Sequence, residues 1–351
     1  MRPPAESSLR AGLRDGYGVR VDRLELEVAG ADVNAWTWRL IADDGRRLFL
    51  KLRREIRPAA ILVPRFLRTI GFDEVVAPIP TLAGAASLAI NGWTAVLTDE
   101  MEGVTAVGDT LDLDGWRRLG EFSARLHAVE LPTEVRAHVP VKRFSDSWIE
   151  LARSVDARID RLDPAALDDE SVAVRERWLA ERPIIRQIVA LSGELGRRIR
   201  GRSTPPTIVL CHADFHGANL LVDGAGRFHV VDWDEVCLAP RERDLMFVRG
   251  SVVAGAVRDD QADAFEAGYG PVEVDRELLA WYRIDWAVQD VAGYAVEVLF
   301  EPDREPPNRP RARRIFEGLF GAGDEVDGAL AIAAELGLAR GSSYGTLRSG
   351  A

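Results

Sequence analysis

The chain has 351 residues, 47% of them hydrophobic and 29% charged, which excludes a disordered chain and leaves room for one large or two modest domains with buried cores. Its 45 basic and 56 acidic residues give a net charge of −11, which argues against a general nucleic-acid surface and suits a cationic or metal-bridged ligand. Met1 to Arg10 lack an apolar stretch, no run of 18 uncharged apolar residues occurs, and Cys211 and Cys237 stand outside any CxxC spacing. The sequence therefore predicts no signal peptide, no membrane span, no thiol chemistry and a cytoplasmic location.

Alternating apolar residues from Val19 to Leu40 predict a hairpin with Gly30 near its tip, and Asp43-Asp44-Gly45 predicts the turn into a third strand, Arg46 to Leu52. A helix is expected over Pro58 to Ile70, then short strands at Val75 to Ile79, Ser87 to Ile90 and Trp93 to Thr98. Past residue 103 the texture becomes helical, over Trp116 to Val129 and most of Ser145 to Arg200. Strand-and-turn patterning returns from Thr207 to Trp233. Helices follow up to a Gly/Ser-rich tail from Gly341. The expected class is α+β, with a small antiparallel β-rich lobe over 1–99 joined near 98–103 to a larger α-helical lobe over 104–351.

Only Lys51 and Lys142 among the 45 basic residues are lysines. An ammonium is a compact point charge and a guanidinium a wide planar fork, so a lysine kept at the end of a strand suggests a cramped phosphate site. Lys142, in the loop-like VPVKRFSD, is read as an exposed charge.

The densest chemistry is His212-x-Asp214-x-x-x-x-Asn219, followed by Asp232 at the end of an apolar strand. This is the spacing of a phosphoryl-transfer loop, in which an Asp accepts the proton of a hydroxyl while an Asn and a strand-end Asp hold Mg²⁺. A hairpin with its turn at Asp223 to Gly226, ahead of a strand over Phe228 to Trp233, would bring Asn219 and Asp232 together. His212 is expected to brace the loop, and His216 either braces Asp214 or makes local contacts.

The stretches LCHADFHGAN at 210–219 and VDWDEVCLAPRERDLMF at 231–247 resemble the aminoglycoside phosphotransferase family, and within it the branch that phosphorylates spectinomycin. Weaker similarity runs through 30–35, Lys51, 119–127, 268–270 and 281–283. The resemblance implies a bilobal protein-kinase-like fold and ATP- and Mg²⁺-dependent phosphorylation of an alcohol. It makes Asp214 the catalytic base, Asn219 and Asp232 the Mg²⁺ ligands and Lys51 the group on the nucleotide phosphates. It also implies a phosphate loop containing Gly30, Asp32 and Asn34, and an adenine-binding hinge at Thr98, Glu100 and Met101. Glu55 is the sole nearby acid that can pair with Lys51 from the helix side, since none follows until Asp73. Asp244 resembles a structural acid of the family, and His127 reads as packing.

For the acceptor, Asp290, Tyr294 and Glu297 fall at i, i+4 and i+7 on one predicted helix, with Asp285 a turn earlier. Negative charge beside an aromatic ring suits a cationic aminocyclitol such as spectinomycin. Other small alcohols and protein Ser/Thr remain alternative acceptors. A metal-dependent hydrolase is the alternative of another class, because His212, Asp214 and His216 would share one face of a strand, but no second histidine cluster exists among the five histidines.

Overall fold

The computed structural model describes residues 3–27, 35–248, 256–301 and 309–338. The chain divides into two compact units, residues 1–141 with 210–238, and residues 142–209 with 239–351.

The first unit opens with α1 (Glu6–Tyr17), an element the alternation-based reading does not anticipate. Leu9, Leu13 and Tyr17, spaced by four, form its buried face, and Gly18 ends it in the left-handed conformation at φ +69. Five strands follow: β1 (Val21–Glu27), β2 (Ala35–Ala42), β3 (Arg47–Arg53), β4 (Leu88–Ile90) and β5 (Trp93–Asp99). They form an antiparallel sheet in the order β1-β2-β3-β5-β4. Asn91 and Gly92, both at positive φ, make the tight β4–β5 turn. In β3 the side chains alternate, so Leu48, Leu50 and Leu52 enter the core with α1, Trp38, Leu40 and Leu97. Phe49, Lys51 and Arg53 consequently occupy the opposite face.

Helix α2 (Ala59–Thr69) follows β3. The strand expected at Val75 to Ile79 does not form, since Pro78 and Pro80 withhold backbone donors. Residues 74–76 instead run along a later strand, with Val230 N–H donating to Glu74 O at 2.7 Å and Val76 N–H donating to Val230 O at 3.0 Å. Strand β6 (Val104–Thr105) leads to α3 (Leu113–His127), capped by Asp112, whose carboxylate accepts from Gly115 N–H at 2.7 Å, and then to α4 (Thr133–Arg136). The unit resumes with β7 (Val209–Cys211), β8 (Leu220–Val222), β9 (Phe228–Val230) and β10 (Cys237–Ala239). Strands β6, β8 and β9 form a second antiparallel sheet.

The second unit is helical: α5 (Ser147–Ile159), α6 (Asp169–Arg200), α7 (Glu242–Leu245), α8 (Asp259–Tyr269), α9 (Arg276–Phe300), α10 (Arg309–Gly318) and α11 (Glu325–Glu335). Helix α9 is its centre, packed by α5, α6, α10 and α11 and buried on most of its circumference. Among the described residues no helix is long and apolar enough to cross a membrane.

Candidate functional site

The β8–β9 hairpin assembles the site. Its turn is fixed by Asp223, whose carboxylate accepts from Ala225 N–H at 2.9 Å and Arg227 N–H at 3.0 Å. Those bonds hold the Asp223 carboxyl well below the usual carboxylate range. Leu220 pairs with Val230, and one step beyond the paired strands Val231 N–H donates to Asn219 O at 3.0 Å. Asn219 and Asp232 are thereby brought to one end of the hairpin. Gly217 lets the loop before β8 lie against the chain at Ala106, where a Cβ would overlap the carbonyl oxygen.

Asp214 is held from several sides. Asn219 Nδ2 donates to its Oδ2 at 2.7 Å and to its backbone oxygen at 2.8 Å, while His216 Nε2 lies 3.3 Å from Oδ1. The next residue, Phe215, stacks on Phe122 of α3 with ring centroids 6.0 Å apart, and Phe72 and Phe228 meet Phe122 edge-on. His212 is fully buried against Phe215 and Trp233. Its Nε2 donates to Val231 O at 3.0 Å and its Nδ1 accepts from Asp214 N–H at 3.3 Å. Both ring nitrogens are committed to backbone, so His212 offers no lone pair to a metal and the zinc-binding trio is overturned. The expectation of a bracing histidine fits this geometry.

Lys51, from the face of β3 opposite the core, reaches the same place. Its Nζ donates to Asp232 Oδ1 at 3.1 Å and to Asp234 Oδ2 at 2.6 Å. Asp232 adopts φ +58 and Ala213 φ +68, two non-glycine residues in the left-handed region beside the reactive groups. The Asp232 carboxyl keeps 36% of its surface open but is crowded by protein, and this desolvation pushes it up from its usual value. Lys51 opposes the shift and the Asp234 and Asp214 carboxylates reinforce it.

The residues fit a hard cation. Asn219 donates through Nδ2, its Oδ1 accepts no hydrogen bond among the described residues, and Asp232 already carries a cation in the Lys51 ammonium. An amide oxygen and a carboxylate are the donor types Mg²⁺ takes.

Other expected site residues have different surroundings. Glu55 is exposed in the loop after β3 and makes no ion pair among the described residues, so it is not the partner of Lys51. Thr98 pairs with Phe49, and Glu100 N–H donates to Arg47 O at 3.1 Å. The Glu100 carboxylate is tied to Arg47 and Arg39. Gly30, Asp32 and Asn34 lie outside the described residues, as does the tail from Gly341.

The candidate acceptor residues all lie on α9. Asp285 and Glu297 are buried, and Asp290 and Tyr294 half-buried, because α9 is wrapped by other helices. Asp285 accepts from Ser192 Oγ of α6 at 3.2 Å. Burial raises it to about 6, against the pull of Lys142, Ser192 and Arg243. Lys142 is therefore half-buried and beside a charge, not an exposed one. Burial likewise pushes Tyr294 up, reinforced by Asp290 and Glu325, so a carboxylate of α11 that sequence spacing did not reveal belongs to the same cluster. Asp244 is buried on α7 and His127 on α3.

Asp234 is the site residue that the motif spacing missed. The signal was present, since it follows Asp232 by two residues.

No match is found among curated proteins. Spectinomycin phosphotransferase APH(9)-Ia in complex with ADP and spectinomycin is 25% identical with a TM-score of 0.84, over 94% of this chain and 99% of that one. The AMP-bound complex of the same enzyme superposes with a TM-score of 0.80 at 25% identity and the same coverage. An ethanolamine kinase from Plasmodium vivax, 14% identical over 84% of this chain and 81% of that one, shares the fold with a TM-score of 0.54. The protein-kinase-like α+β architecture agrees with the sequence-based expectation. The phosphotransferase enzyme family model matches residues 25–312, so its span includes Lys51, the Asp214 loop and Asp232. The chain belongs to the phosphotransferase enzyme family.

Proposed function

We propose that this phosphotransferase moves the γ-phosphoryl group of ATP, with Mg²⁺, onto a hydroxyl of a cationic aminocyclitol, spectinomycin or a close relative. The observation that carries the reading is the convergence of Lys51, Asp214, Asn219 and Asp232 at one end of the β8–β9 hairpin. In this reading residues 1–99 supply nucleotide binding, 98–103 the hinge, and 104–351 catalysis and acceptor binding, in the cytoplasm where ATP is abundant.

Asp214 accepts the acceptor's hydroxyl proton at a carboxylate oxygen, and Asn219 fixes Asp214 before the acceptor arrives by one hydrogen bond to that carboxylate and one to the backbone oxygen. Asn219 Oδ1 and Asp232 are the ligands that would hold Mg²⁺. Bound there, the ion supplies neutralisation of phosphate charge. Lys51 turns its ammonium from Asp232 to the phosphates, exchanging one anionic partner for another. Backbone at Glu100 and Met101 meets the adenine edge.

The acceptor assignment rests on the 25% identity and near-complete coverage shared with an enzyme that was solved with spectinomycin, and on the net charge of −11. An acidic protein draws cations by long-range attraction. Incubation with Mg-ATP and a panel of aminocyclitols, ethanolamine, neutral sugars and a protein substrate, read by mass spectrometry, tests it. Phosphate is expected on an aminocyclitol. Phosphate confined to ethanolamine, an uncharged alcohol or protein serines would reassign the acceptor and leave the catalytic assignment standing.

A further inference from the structure

Lysines that grip nucleotide phosphates need an anion to hold the ammonium in place, because a flexible four-carbon stem carries several rotatable bonds. Helix α2, AAILVPRFLRT, contains no acidic residue, and Glu55 just before it is exposed and unpaired with Lys51. The anion comes from elsewhere. Asp234 Oδ2 lies 2.6 Å from Lys51 Nζ and 2.9 Å from Arg53 Nη1. Lys51 and Arg53 are two residues apart on β3 and so share a face. One carboxylate thus joins two cations of one strand, with Lys51, Arg53 and Asp234 each about four-fifths buried.

We propose that Asp234 is a positioning residue: anchored by Arg53, it holds the Lys51 ammonium in the place where nucleotide phosphates are met, the task an α2 carboxylate would otherwise perform. The proposal rests on the reading of Lys51 as the phosphate-binding group. Asp232, which also accepts from Lys51, is the residue assigned to the metal, so its hold on the lysine is given up when Mg-ATP binds. Asp234 keeps its hold because Arg53 pins it from the same strand.

The composition supplies a direct assay, since Lys51 and Lys142 are the chain's only lysines. Acylation of the nucleotide-free protein, followed by peptide mapping, gives the reactivity of Lys51 with Lys142 as internal reference. Asp234→Asn is expected to raise the Lys51 to Lys142 labelling ratio roughly fivefold, the scale of one lost ion pair. It is also expected to raise KM for ATP about tenfold with a smaller fall in kcat, because the lysine is misplaced and not removed. Asp234→Glu, which restores the charge, should return the labelling ratio toward that of the parent.

Asp234→Ser carries the same test if the amide variant does not fold. A folded Asp234→Asn or Asp234→Ser protein with the parent's labelling ratio overturns the proposal. So does a variant whose only change is its Mg²⁺ dependence, which would make Asp234 a metal ligand. Failure of ATP to bind the parent, or to protect its Lys51, would instead count against the proposed function, while the nucleotide-free labelling still reports on the Asp234–Lys51 pair.

Discussion

The Asn219 amide donates to Asp214 twice, to carboxylate Oδ2 at 2.7 Å and to the backbone oxygen at 2.8 Å, so one side chain fixes both the position and the rotamer of the proposed base. A donor on a carboxylate favours the ionised, proton-accepting form over the protonated one. Asn219→Asp replaces the donor with a second anion at the same distance. The base then holds its proton to higher pH, and the acidic limb of kcat/KM against pH is expected to move up by about one unit or more. An unmoved limb would separate Asn219 from the base.

Asp232→Ala is expected to remove the Mg²⁺ dependence of nucleotide binding. Titration calorimetry with and without Mg²⁺ should give the same weak affinity for the variant but two different affinities for the parent. If Mg²⁺ still tightened binding in the variant, the ion would have other ligands.

Lys51→Arg preserves charge but replaces a point donor with a wider fork in a space where Nζ already sits 2.6 Å and 3.1 Å from two carboxylates. A loss of roughly tenfold or more in kcat/KM for ATP is expected from steady-state kinetics. Parental activity would mean that the near absence of lysine elsewhere carries no information about this position.

Local patterning made much of the first unit legible. The third strand expected over Arg46 to Leu52 forms as Arg47–Arg53 with Lys51 near its end, and the spacing of Asn219 and Asp232 around a hairpin implied the proximity that the β8–β9 register produces. Long-range partners were not legible. Asp234 bonds a lysine 183 positions away, and Glu55, nearer in sequence, was the natural guess because spacing reports only local proximity. The degree of burial along α9 was not legible for a related reason. Asp290, Tyr294 and Glu297 do recur at a helical interval, but whether that face meets water or other helices is set by α10 and α11, which the interval does not encode.

Asp285 gives a pH dependence with a definite sign. Its folded-state value of about 6 lies above the ordinary 3.8, so the folded protein binds this proton more tightly than the unfolded chain does. The corresponding stability is fully present below pH 3.8 and lost as pH rises through about 6. Asp285→Asn removes the titration, and parent stability relative to the variant is expected to fall by about 2–3 kcal/mol between pH 4 and pH 7. Urea unfolding of both proteins across that range is the check. Parallel stability curves would show that Lys142 and Arg243 fully compensate the buried charge.

The central claim is that Asp214 takes the acceptor's proton. Single-turnover transfer from Mg-ATP to spectinomycin, measured for the parent and for Asp214→Asn together with nucleotide affinity, tests it most directly. The account predicts phosphospectinomycin from the parent, a rate lower by roughly 10²–10⁴ in the variant, and nucleotide affinity within about twofold of the parent. A variant that transfers phosphate at near the parental rate would contradict it.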